Sequence, residues 1–358
     1  MMITTARRSH ITNRVWLGIG VGLLLCGILA TVIVKKVFAQ PELSSDPVQN
    51  VQTLLVHPRE PVRDAWIYPE AHGALDMLRG GLQLFAVKAE FLRITDEGQV
   101  EQINQSAAAP NGYSPENIAL LKAHSQRQYV TISGRMQGTE AAMRDPLTIP
   151  RIVDFATKAN IGVELDWEEF GQWSPEYYEQ FKAFVRDLDA ALAAHGHQLM
   201  VDGPAIYDDS SQSWYQWKYE EIAPLADSVV MMIYDYQYDY GAGAAVAPQD
   251  WSLACMHWLK EKAGGKGIAG LAAYGYSGTK GEWNIKVQPS NIIEQAVSDA
   301  QVQRTEDGEL VAQKGDTFYA YSDEKTMQQR LDQVKQAGIE RLSVWSLGDN
   351  PWFSDGTR

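Results

Sequence analysis

Residues 162 to 168 read Gly-Val-Glu-Leu-Asp-Trp-Glu, so three carboxyl side chains alternate with three apolar ones. Successive side chains on a strand point to opposite faces. The spacing therefore puts Glu164, Asp166 and Glu168 in one row and turns Val163, Leu165 and Trp167 the other way. Acids in line on a buried strand are costly: each disfavours ionisation of its neighbour, and loss of water pushes in the same direction. Such a row is expected to hold at least one proton near neutral pH. A carboxyl that keeps its proton there is what glycosidic cleavage requires of a general acid. Two structural readings use the same residues, a strand with one solvated polar face and a carboxylate metal site. No histidine stands close in sequence to support the second, and His195 and His197 flank Gly196 at an expected helix end, so no metal is expected.

The elements that must position this row are legible as eight short apolar or β-branched runs, at 64–68, 82–88, 129–133, 161–167, 198–203, 228–236, 267–276 and 341–347. Helical patterns alternate with them. Ser174-Pro175-Glu176 supplies a cap, a proline at the first helical position and an early acid. Tyr177, Phe181, Phe184, Val185, Leu188 and Leu192 then recur on one face. Another Ser-Pro-Glu start stands at Ser114, and Met327, Leu331 and Val334 mark a helix that ends near Gly338. Strands alternating with helices imply a parallel sheet covered on its outer face. Eight such units in residues 62–358 suit an α/β fold of the (β/α)8 barrel type better than an open sheet. In such a barrel the C-terminal ends of the strands open into the active-site mouth, and Glu168 is the last acid of its row.

At the acid strand the sequence resembles the signature Asp-Gly-x-Asp-x-Asp-x-Glu of glycoside hydrolase family 18, the chitinase-like enzymes. Gly162, Asp166 and Glu168 match it, whereas Ile161 and Glu164 replace its first and middle Asp. Further likenesses follow in the family's order: Met232-Ile233-Tyr234-Asp235-Tyr236 on the sixth strand, Leu271 to Tyr276 on the seventh and Val344-Trp345-Ser346-Leu347 on the eighth. The resemblance implies Glu168 as proton donor, Asp166 as holder of the substrate's acetamido group and Tyr234 as support for the reacting acetamido oxygen. It implies substrate contacts at Glu164, Asp235, Trp345, Tyr276 and Tyr68, with Trp345 as the floor under the sugar. The implied reaction is substrate-assisted, retaining cleavage of a polysaccharide containing N-acetylglucosamine, with no cofactor. The stretch from Ile292 to Gly338 is similar to the bacterial spore-germination and cortex-lytic N-acetylglucosaminidases. Only a small insertion fits between strands seven and eight, which implies a shallow cleft. A catalytically silent sugar-binding barrel is the alternative from another class, though such proteins usually lack the proton donor that stands here at Glu168.

Residues 15–34 form an uncharged apolar run of membrane-spanning length, read as an uncleaved signal anchor. Residues 1–14 are then expected to be cytoplasmic, 35–61 to form a proline-containing linker, and 62–358 to lie outside the cell membrane as the catalytic barrel. Five of the 31 basic residues fall in the first 40, which hold no acid, leaving 26 bases against 45 acids in the remainder. That balance repels phosphate backbones and argues against a nucleic-acid partner. Beyond the apolar run Cys255 is the sole cysteine, so the barrel must stand on its core without a disulfide.

Overall fold

The computed structural model describes residues 60–354. The expected N-terminal stretch, the apolar span 15–34 and nearly all of the linker lie outside them. Among the described residues no helix is long and apolar enough to cross a membrane.

Eight parallel strands close into a barrel: β1 (Val62–Ile67), β2 (Leu84–Ile94), β3 (Ser125–Gly134), β4 (Gly162–Trp167), β5 (Leu199–Gly203), β6 (Ser228–Ile233), β7 (Gly267–Ala272) and β8 (Arg341–Trp345). Closure is made by β1, which pairs with both β2 and β8. Each expected run overlaps one of these strands. The run at 228–236 stops at Ile233, because Asp235 turns the chain through a left-handed φ of 69°. The run at 267–276 divides after Ala272, and Gly275–Thr279 peels into a second sheet. Gly275 permits that departure, since a Cβ there would meet the Ala320 carbonyl and the Tyr321 side chain. Strand β2 runs further than its apolar pattern suggests. It shifts register against β3 between Glu90 and Leu92, a bulge beside the mouth.

The outward face of β4 shows why this strand is held so firmly. Trp167 packs against Phe181 and Phe184, with ring centroids 5.8 and 5.0 Å away, on the helix Pro175–Ala193. That helix starts as its sequence implies, with the Ser174 hydroxyl accepting a hydrogen bond from the Tyr177 amide at 3.1 Å. All six apolar positions of its expected stripe are buried. Gly338 ends the helix Glu324–Ala337 in the left-handed conformation.

Between β7 and β8 the insertion forms a five-stranded antiparallel sheet, in the order Lys286–Gln288, Gly275–Thr279, Thr317–Tyr321, Leu310–Lys314, Val302–Arg304. A buried ion pair ties this sheet to the barrel. Arg330 contacts Glu309 at 2.6 Å and also donates to the Ala272 carbonyl at the end of β7. Glu309 in turn accepts from the Val246 and Ala247 amides in the loop that follows β6.

Candidate active site

The acid row points into the barrel, as alternation requires. Its inner member, Glu164, is wholly buried and fully partnered. Lys88 on β2 reaches it at 2.6 Å, the Trp66 indole N–H donates at 2.8 Å from β1, and the Thr131 hydroxyl donates at 2.5 Å from the neighbouring position on β3. The Lys88 ammonium also sits 3.0 Å from the centroid of the Trp66 ring. A cation thus already neutralises the deep end of the row.

Among the described residues no ion pair reaches the outer members, and the charge of Lys88 acts on Asp166 more weakly than the acids around it. Asp166 is pushed well above the usual carboxylate range, first by loss of water and then by the charges of Glu168, Glu164 and Glu90. Glu168 follows the last residue of β4, where solvent reaches it through the mouth. The protein walls around its carboxyl and the charges of Asp235, Glu169 and Glu90 push it up to about 7. Its main chain is fixed by the Trp173 indole, which donates to the Glu168 carbonyl at 3.0 Å. The next residue, Glu169, has a left-handed φ of 60°, and its carboxylate accepts from the Met136 amide at 2.7 Å. Among the described residues only Asn160, Glu169 and Asp235 combine a side chain with positive φ, and two of these adjoin the row or Tyr234.

On the opposite wall, Tyr234 follows β6 and Trp345 ends β8, their rings 6.5 Å apart. Tyr274 stands edge-on to both, at 6.0 and 5.1 Å, and its hydroxyl donates to Asp235. Gln237 adds a second donor to the same Asp235 oxygen at 3.1 Å. Burial nevertheless raises the Asp235 carboxyl. Trp345 borders two apolar clusters, the barrel interior with Trp66, Tyr129 and Met200, and the base of the insertion with Tyr274 and Phe318. Its peptide bond to Ser346 is cis.

Of the residues expected at the site, Glu168, Asp166, Tyr234, Asp235 and Trp345 come together at the mouth. Tyr68, 41% exposed after β1, joins them at the rim, where burial and the charges of Glu90 and Glu70 push its hydroxyl up to about 12. Two expectations are corrected. Glu164 has no surface to offer a substrate, because its position lies one inward step below Asp166 and protein groups consume its carboxylate. Tyr276 is wholly buried. Its hydroxyl accepts from the Gly243 amide at 2.8 Å and donates to the Ala244 carbonyl at 2.6 Å, so it fastens the insertion to the loop after β6.

Several site residues escaped the sequence reading. Asp202 on β5 is buried beside Glu164, neither of its oxygens has a hydrogen-bond donor, and burial with the charge of Glu164 pushes it well up. Alternation in Leu199–Gly203 could have flagged it, since Met200 and Asp202 share a face. Lys88 occupies the last position of an expected run, where a lysine reads as a solvated strand end. Glu90, which accepts from the Ser133 hydroxyl, lies past that run altogether.

The family model for glycosyl hydrolases family 18 matches residues 144–350. The uncharacterised glycosylase YvbX of Bacillus subtilis (strain 168) is 28% identical over 205 residues, covering 52% of this chain and 57% of that protein. The chain therefore matches little more than half the length of this curated relative. Among solved structures, a class V chitinase from Pseudomonas fluorescens Pf-5 superposes with a TM-score of 0.68 at 19% identity, over 81% of this chain and 96% of that one. The Bacillus cereus spore cortex-lytic enzyme SleL gives 0.66 at 16%, over 80% and 71%. At these identities the structural likeness speaks for the fold.

Proposed function

Since the chain belongs to glycosyl hydrolases family 18, we propose that it hydrolyses β-linked glycans containing N-acetylglucosamine, with Glu168 as the proton donor. One observation carries this reading: the acid row ends at the barrel mouth in a carboxyl raised to about 7, facing Tyr234, Asp235 and the Trp345 ring. A proton held near neutral pH is available to a leaving oxygen, and an aromatic floor matches the apolar face of a pyranose.

In the proposed reaction Glu168 gives its proton to the glycosidic oxygen as the bond to the anomeric carbon breaks. The substrate's own acetamido oxygen forms the new bond to that carbon. Asp166 accepts a hydrogen bond from the acetamido N–H through its unprotonated oxygen and so orients the group, while the Tyr234 hydroxyl donates to the acetamido oxygen. Glu168, now a carboxylate, takes a proton from the water that reopens the ring. Its return to the acid form completes the cycle.

Glu168→Gln keeps the shape and removes the transferable proton. Turnover of a chromogenic N-acetylglucosamine oligomer should fall by about 10²–10⁴ while oligomer binding persists. The sign of the pH dependence follows from the raised carboxyl: the working form is protonated, so kcat/KM of the unaltered protein should decline as pH rises through about 7. A Gln variant with near-normal rates would move the proton donor elsewhere. Mass spectrometry of products from chitin oligomers and from peptidoglycan would identify the glycan class.

A further inference from the structure

Arg135 differs from every other arginine among the described residues. The others each engage an acid, an amide oxygen or an aromatic ring, as Arg93 meets Glu101 at 2.6 Å and Arg127 donates to Gln198 at 2.5 Å. The Arg135 guanidinium makes no ion pair, hydrogen bond or ring contact with the described residues, and the residue is exposed. A chain with 45 acids against 31 bases offers carboxylates in plenty, so an arginine left without one needs a reason.

Its place relative to the acid row is fixed by strand register. On β3 and β4, Ser133 lies beside Asp166 and Gly134 beside Trp167. Arg135 and Glu168 are the next residues of the two chains. The backbone at Arg135 stays extended, with φ −86° and ψ 154°, so the alternation of β3 carries through it. Arg135 therefore continues the inward row of Thr131 and Ser133, as Glu168 continues that of Glu164 and Asp166. A direct contact joins the two chains at this level: the Met136 amide, next to Arg135, donates to the Glu169 carboxylate, next to Glu168, at 2.7 Å. The Arg135 carbonyl is held too, accepting from the Thr139 amide at 2.9 Å and its hydroxyl at 3.1 Å. The main chain is set at the mouth and the cation on it is uncommitted.

The acids nearby do not use that cation. The charges acting on Glu168 are those of Asp235, Glu169 and Glu90, and both Glu168 and Asp166 are raised toward their neutral forms, which lowers the negative charge an incoming anion would meet. A guanidinium offers a planar fork of N–H donors that matches a carboxylate with two parallel hydrogen bonds. We propose that Arg135 selects for a carboxylate on a sugar bordering the cleaved bond, so that the substrate is an acidic glycan containing N-acetylglucosamine rather than uncharged chitin. The proposal rests on the glycan reading of the site above and gives Arg135 no part in bond breaking.

Steady-state turnover of three tetrasaccharides tests it: one alternating N-acetylglucosamine with N-acetylmuramic acid, one alternating it with glucuronic acid, and the uncharged N-acetylglucosamine tetramer. The unaltered protein should prefer an acidic tetrasaccharide, and the one preferred names the sugar that carries the group. Arg135→Gln should lower kcat/KM on that substrate about ten- to hundredfold, chiefly through KM, and on the uncharged tetramer less than about twofold. Arg135→Lys, which keeps the charge without the fork, should recover part of the loss. Equal losses on acidic and uncharged substrates, or no loss on either acidic one, would overturn the selection. If the unaltered protein turns over none of the three, titration of the Glu168→Gln protein decides: binding of an acidic tetrasaccharide that disappears with Arg135→Gln would keep the carboxylate contact and remove the hydrolytic reading, and binding of none would remove both.

Discussion

The two ends of the acid row carry the same functional group into different surroundings. At the deep end, Glu164 meets a lysine ammonium, an indole N–H and a hydroxyl, all within 2.8 Å. At the outer end, Asp166 and Glu168 meet mainly other acids, and both are raised. A buried carboxylate is tolerated only when paired, or when it takes up a proton. The deep end uses the first solution and serves as structure. The outer end uses the second, which is what leaves a proton available at the mouth.

The strongest way to break this division is at Lys88, which lies wholly inside the barrel. Lys88→Met should leave Glu164 as an uncompensated buried charge and cost about 3–5 kcal/mol of stability, read by denaturant or thermal unfolding. Pairing it with Glu164→Gln should recover much of that loss, because the charge that needed a partner is gone. If Lys88→Met unfolds like the parent, the ion pair is not what sustains the deep end.

This division also explains what the sequence could and could not reveal. The period of two in Gly162–Trp167 fixes which side chains share a face, and the apolar runs locate all eight barrel strands, because both signals are local. Partners across the barrel are not local. Lys88 and Glu164 lie 76 positions apart and meet only through the register of β2, β3 and β4. Tyr276 was misplaced for a related reason: the apolar run through 276 hides the switch of Gly275–Thr279 into a second sheet. Its hydroxyl then faces the backbone at Gly243 instead of the cleft.

Asp202 tests the division from the other side, since it is deep yet lacks a donor to either oxygen. It resolves its burial by keeping a proton, so its folded-state carboxyl lies above its ordinary value. The native state therefore binds more protons than the unfolded chain across that interval, and stability must fall as pH rises through it. Asp202→Asn supplies a permanent N–H in place of the retained proton. It should flatten this dependence and gain about 1–3 kcal/mol toward the alkaline side, with little change below pH 4. Thermal melts of both proteins at pH 4 and pH 8 measure it. A variant that loses stability equally at both values would show that Asp202 is held as an anion.

Trp345 stands on the boundary between the two regimes, and the smallest expected effect discriminates most finely there. Its ring contributes to the barrel interior through Trp66 and Met200, and to the mouth through Tyr234 and Tyr274. Were it simply core, Trp345→Ala would cost about 3–5 kcal/mol of stability and leave the folded fraction with normal sugar affinity. As the floor of the cleft it remains partly open to solvent, so it has less packing to lose than a wholly buried ring. The stability loss should then stay below about 3 kcal/mol, while affinity for an N-acetylglucosamine oligomer falls about tenfold, the size expected for one lost aromatic stacking contact. Melting and titration of that single variant separate the two. A large melting loss with unchanged affinity would assign Trp345 to the deep, structural regime with Glu164.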